Sequence, residues 1–103
     1  NMVPSHFDVN AHLMTKPGCA EQLKACLEQL VKNCQHHQGL LVYRLHQDLE
    51  DPCHFVFYEQ FANREDCLSH SKSEELAGFR QEVRDLLKGD NKVYRLKTLA
   101  EHK

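Results

Sequence analysis

The sequence predicts an α+β domain: a four-stranded, mostly antiparallel sheet with helices packed on one face. Three observations predict it. The chain opens and closes on segments that alternate with period two, a central pair of alternating runs has the pattern of a hairpin, and the segments between carry apolar residues at three- and four-residue steps. The resulting order, β-α-β-β-α-α-β, is the ferredoxin-like arrangement of two strand-helix units around a hairpin.

From His6 to Thr15, Phe7, Val9, Ala11 and Leu13 alternate with Asp8, Asn10 and His12, which marks the first strand. Lys16-Pro17-Gly18 breaks it, and proline suits the first turn of a helix, so a helix is expected from about Pro17. Leu23, Cys26, Leu27, Leu30 and Cys34 then keep helical spacing, with Cys19 a turn earlier, while Glu21, Lys24, Glu28 and Lys32 fall largely on other faces. Three cysteines thus sit where small apolar residues pack. Gly39 ends this region.

Leu40 to Gln47 and His54 to Phe61 are strand-like and are separated by the turn-forming Asp48 to Pro52. Asn63 can cap a short helix carrying Cys67 and Leu68. Ser71 with Glu74, or Ser73 alone, can start another bearing Leu76, Phe79, Val83, Leu86 and Leu87. After Gly89, Val93 to Leu99 alternates as a last strand.

The chain has 103 residues, 41% hydrophobic and 27% charged, which suits one globular domain, taken as 2–103 with a core of about 6–99. Asn1 before Met2 reads as an expression remnant. A formal charge of −2 without a basic, aromatic-interleaved patch argues against nucleic acid. Apolar runs are too short for a membrane span and no signal peptide is evident. An odd five cysteines with no two-residue Cys-Cys gap suit a reduced, cytoplasmic chain. Eight histidines lack metal-ligand spacing, and the adjacent rings of His36 and His37 should point apart, so no metal site is expected.

Alternation places Phe55, Phe57 and Phe61 on one face of the third strand and Val56 and Tyr58 on the other. In the second strand it sets Leu41, Tyr43 and Leu45 against Leu40 and Val42. Helices in so short a chain cover one face, so a second copy is expected on the other, giving a homodimer whose two sheets close a barrel; the alternative is an open face that is merely amphipathic, as in many antiparallel sheets.

Taken together, the run Val9 to Gly18, the segments Gly39-Leu40-Leu41-Val42-Tyr43 and Phe55-Val56-Phe57-Tyr58-Glu59-Gln60-Phe61, and His70 with Ser73 resemble the antibiotic-biosynthesis-monooxygenase domain, which includes quinol monooxygenases. The resemblance spans about residues 6 to 99. It implies a dimeric α+β barrel with a pocket between sheet and helices in each protomer, and no metal or flavin. Tyr58 and Glu59 match the family's Tyr-Glu pair, and His70 its histidine after the third strand. Phe61 stands where many members have tryptophan, and the second histidine that some members carry after His70 is missing. Related haem-degrading proteins use a strand asparagine and a helix histidine. Asn10 is one residue out of register for the first, and Leu76 to Leu87 contains no histidine, which disfavours haem.

The implied activity is cofactor-independent oxidation of a small aromatic or quinol-like substrate by molecular oxygen. Such an enzyme removes a proton and shelters the electron-rich anion while oxygen reacts. His70 is then the expected base, Tyr58 orients or polarises a substrate oxygen, and Glu59 accepts a hydrogen bond or orients a histidine. Tyr43, Phe61 and Arg44 are the expected substrate contacts. Glu59 has the alternative of an ion pair with Arg44, Tyr58 of a core aromatic, and His70 of a helix-end cap. Two other functions stay open: an isomerase of a small phosphorylated sugar-like signal, with Lys72 and Arg64 at the pocket mouth, and a binding dimer without turnover.

Overall fold

The computed structural model describes residues 6–102, so the expected remnant at Asn1 lies outside the described residues. The strands are β1 (Phe7–Met14), β2 (Leu40–Gln47), β3 (His54–Phe61) and β4 (Lys92–Leu96). The helices are α1 (Ala20–Asn33), α2 (Arg64–Ser71) and α3 (Glu74–Val83), the last continued by a 3-10 turn over Arg84–Leu86. The strands lie in the order β2-β3-β1-β4, and every pair is antiparallel. This is the expected ferredoxin-like α+β fold.

Local chemistry fixes the boundaries. Asn63 accepts a hydrogen bond from the Asp66 N–H at 2.9 Å and Ser73 one from the Leu76 N–H at 3.2 Å, so each caps the helix that follows it. Helix α1 starts at Ala20 and not at Pro17, because Gly18 adopts a φ of 83°, a left-handed conformation that a right-handed helix cannot contain. Strand β4 ends at Leu96. Beyond it, Thr98 donates its hydroxyl hydrogen to Asp8, a side-chain contact in place of a longer ladder.

The core lies between sheet and helices. Leu13, Phe55 and Phe57 from the strands meet Leu23, Leu27, Leu30 and Cys34 of the α1 region and Phe79 and Val83 of α3. Burying a side chain of this size contributes about 1.5–3 kcal/mol.

One side-chain assignment changes. A bulge between Leu40 and Val42 shifts the register of β2, so Leu40 faces Phe61 and packs on the core with Tyr43 and Leu45, while Leu41 is 50% exposed. A bulge inserts one unpaired residue and so breaks strict alternation. The outer face is consequently mixed. Val42, Val56, Tyr58, Tyr94 and Leu96 share it with Asp8, Asn10, His12, Arg44, His46 and Gln60. It is less apolar than unbroken alternation predicts.

Candidate active site

Strand β3 is the floor of the site. Phe55, Phe57, Glu59 and Phe61 all face the helices, so period-two alternation puts a carboxylate into a row of phenylalanines. Glu59 lies opposite Val9 on β1 and Tyr43 on β2. Above it, α2 contributes Cys67 and His70, α3 contributes Leu76, Phe79 and Arg80, and the C-terminal segment contributes Arg95. These residues line a cavity of about 270 Å³. That is just under the roughly 300 Å³ at the lower end of ordinary ligand pockets, a size for a small organic molecule.

Two proton-carrying groups are open to this cavity. Glu59 is 8% exposed and makes no side-chain hydrogen bond among the described residues, yet no fully buried side-chain oxygen or nitrogen is left unpartnered. Its carboxyl oxygens therefore reach the cavity. Desolvation pushes its pKa up to about 7, because burial penalises the carboxylate.

His70 is 5% exposed and is held among aromatic rings, Tyr43 at 5.0 Å and Phe61 at 5.3 Å between centroids. Burial first, then His37 and Arg80, lower its pKa to about 4, so the imidazole is neutral near pH 7. Its Nδ1 lies 2.8 Å from Nδ1 of His37, whose Nε2 lies 2.9 Å from Oε1 of Glu75. Glu75 can only accept when ionised, and the hydrogen bond from His37 holds its carboxyl below the usual range. His37 therefore donates from Nε2 to Glu75 and accepts at Nδ1 from the Nδ1–H of His70. The lone pair of His70 is left on Nε2, which has no protein partner among the described residues and so opens onto the cavity.

The expected site residues divide between the two faces. Glu59, His70 and Tyr43 line the cavity. Phe61 is fully buried behind His70. Tyr43 stacks on Phe57 at 4.5 Å, and its burial, reinforced by Glu59, raises the phenol pKa so that the hydroxyl stays protonated. Tyr58 and Arg44 face each other on the outer side of the sheet, away from the cavity, and Tyr58 accepts from the Gln60 amide at 3.3 Å. Arg44 and Glu59 form no ion pair, because they are on opposite faces.

Sequence reasoning missed Arg80, Arg95, His37 and Glu75. Lys72 and Arg64, expected at the mouth, do not line the cavity, and Arg64 instead sits over the Phe7 ring at 5.0 Å. Cys34, His37 and His70 bring one potential metal donor each within 4.8 Å of one another, and His36, His37 and Glu75 do the same on the surface. The available signal for the first set was the two-residue gap between Cys34 and His37.

Residues 7–88 match the profile of the family described as antibiotic biosynthesis monooxygenase. The chain belongs to that family. Among solved structures, PA3566 from Pseudomonas aeruginosa is 29% identical with a TM-score of 0.86, over 97% of this chain and 100% of that one. An antibiotic biosynthesis monooxygenase homologue from Nitrosomonas europaea has a TM-score of 0.88 at 19% identity, covering 96% and 95% of the two chains. Rv0793 from Mycobacterium tuberculosis gives 0.86 at 24%, covering 96% and 100%. A comparison with curated proteins found no match. Among the described residues, no helix is long and apolar enough to cross a membrane.

Proposed function

We propose that this family member is a cofactor-independent monooxygenase acting on a small, acidic aromatic of the phenol or quinol type. The observation that carries the reading is a small, largely apolar cavity into which Glu59 and His70 both present unpartnered polar atoms. Oxygen in its triplet ground state reacts slowly with closed-shell molecules, so the substrate must become an anion that gives up an electron. Glu59 takes the substrate proton. Its proton affinity exceeds that of His70, which accepts a hydrogen bond at Nε2 and orients the substrate hydroxyl.

Arg80 and Arg95, both lining the cavity, offset the charge of the phenolate. Electron transfer to oxygen and recombination form a carbon–oxygen bond. Loss of water from the resulting hydroperoxide then leaves a carbonyl, so one oxygen atom enters the product and the other leaves as water. Glu59 returns the proton it took to the peroxide anion, which gives that hydroperoxide, and the regenerated carboxylate then takes the hydrogen from the oxygen-bearing carbon as H+ and passes it to the departing hydroxide.

The same two arginines would also receive a phosphorylated sugar-like substrate, in which case Glu59 moves a proton beside a carbonyl without consuming oxygen. Oxygen uptake across quinols, polycyclic phenols and phosphorylated ketoses separates these readings. Uptake with a phenolic compound, lost in Glu59→Gln, supports the monooxygenase. Isomerisation of a ketose without uptake overturns it, and binding without turnover of any of them makes the protein a carrier. We further propose that the working unit is a homodimer in a reducing, cytoplasmic setting, which suits five free thiols and the valine, leucine and tyrosine side chains on the outer face. Light scattering giving a 12.0 kDa particle would exclude the dimer.

A further inference from the structure

Behind the cavity-facing edge of His70, four elements bring together a group of which the proton chemistry uses His70 alone. Cys34 is the residue at which α1 ends, and it is fully buried. The chain turns immediately, the His37 N–H donating to the Cys34 carbonyl at 3.0 Å, and this turn carries the His37 ring back toward the thiol. Helix α2 ends by delivering His70, and the first turn of α3 delivers Glu75. His36 and His37 diverge, their rings inclined at 76°, with His36 69% exposed and His37 only 9%.

One donor atom from each of Cys34, His37 and His70 lies within 4.8 Å of the other two. The Nδ1 atoms of the histidines face each other at 2.8 Å. A tetrahedral zinc ion, with bonds of about 2.0–2.1 Å to nitrogen and about 2.3 Å to sulfur, sets neighbouring donors roughly 3.3–3.6 Å apart. The two rings therefore need to part by only about 0.5 Å. Glu75, accepting from the far nitrogen of His37, occupies the position of the carboxylate that orients a metal-bound histidine.

We propose that Cys34, His37 and His70 bind a divalent cation of the zinc class, with Glu75 orienting His37 and water filling the fourth position. The ion takes the place of the hydrogen between the two Nδ1 atoms. The thiol proton leaves to solvent, and the Cys34 thiolate and the Glu75 carboxylate together match the two positive charges, against the opposing Arg80 on α3. The hydrogen displaced from Nδ1 of His70 moves to Nε2, so the ring donates into the cavity where it otherwise accepts. Metal binding thus changes the part His70 plays toward a substrate, from accepting at Nε2 to donating from it, whereas binding of the ion itself is read without any substrate. Sequence spacing argued against a metal because Cys34 and His37 form only one half of the ligand set, and His70 comes from a separate stretch of chain.

The test is cobalt titration of the chelator-stripped full chain, with cobalt reporting on a zinc-type site. We expect one equivalent to bind, with a thiolate-to-cobalt band in the near ultraviolet and the intense visible bands of tetrahedral cobalt. Cys34→Ser should remove the ultraviolet band, Glu75→Gln should weaken binding about 10-fold or more, and Cys67→Ser and His36→Ala should change neither. Absence of the band at tenfold excess cobalt, or its persistence in Cys34→Ser, overturns the site. Loss of binding in His36→Ala would move the ion to the exposed His36-His37-Glu75 group and also overturn it. Should Cys34→Ser fail to fold, ring-nitrogen NMR of the unmodified chain decides. Zinc must shift Nδ1 of both His37 and His70, and unshifted resonances refute the proposal.

Discussion

The two faces of the sheet each carry a carboxylate-histidine-histidine chain with nearly the same distances. On the helix side, Glu75, His37 and His70 are joined at 2.9 and 2.8 Å. On the outer side, Asp48 accepts from Nδ1 of His54 at 2.9 Å, and Nε2 of His54 accepts from Nδ1 of His12 at 2.9 Å. What differs is the surroundings. The inner chain ends on a buried ring beside a cavity and a buried thiol, whereas the outer one rests on the hairpin with the His54 side chain 24% exposed and Tyr94 edge-on to His12. The same hydrogen-bonding pattern becomes a site for chemistry only where burial removes competing water.

That contrast is open to test at both ends. The largest effect is expected at Glu59. With an accepted substrate, Glu59→Gln should lower kcat by about 10²–10⁴-fold, the usual contribution of a general base, while Tyr58→Phe on the outer face should change it by less than about threefold. A large loss in Tyr58→Phe would mean that the outer face takes part in the reaction.

Gly39 supplies the next test. Its φ is 71°, and a Cβ there would run into the Asp66 side chain at the start of α2. Gly39→Ala should cost about 1–3 kcal/mol in chemical denaturation and disturb the turn that carries His37. An unchanged midpoint would show that this turn is not held tightly.

A third prediction concerns pH. The Glu59 pKa is raised from its ordinary 4.5 to about 7, so its contribution to stability is complete below pH 4.5 and is lost as pH rises through 7. Relative to Glu59→Gln, the unmodified chain should lose at least roughly 5 °C of Tm between pH 5 and pH 8. Parallel Tm profiles for the two proteins would place the carboxyl in contact with solvent. The smallest effect belongs to the outer chain, where His54→Ala should cost no more than about 1 kcal/mol, since a partly exposed side-chain contact with a carboxylate contributes little.

Much of the fold was legible because its signals are local. Alternation located β2 and β3 at the bounds later observed, and Asn63 and Ser73 marked helix starts through side-chain oxygens that satisfy free N–H groups. The start of α1 and the facing of Leu40 and Leu41 were misread for equally physical reasons. A left-handed glycine and a one-residue bulge are backbone choices that composition does not report. Glu59 and His70 were recognisable as candidates through the family resemblance, but pairing Tyr58 with Glu59 ignored the rule that neighbours on a strand point to opposite faces.

By itself the sequence determined the element order, the antiparallel hairpin, the apolar stripes of the helices and the family, since each depends on residues close together in the chain or on their order along it. Only the tertiary structure decided which polar groups share a space. Glu59, His70, Arg80 and Arg95 meet around one cavity, and Cys34 and His37 meet His70 behind it, because the sheet order β2-β3-β1-β4 brings distant segments under the same helices. Their chemistry follows from that convergence. Desolvation and hydrogen bonding set the protonation of a carboxylate or an imidazole, and both depend on neighbours contributed by other parts of the chain.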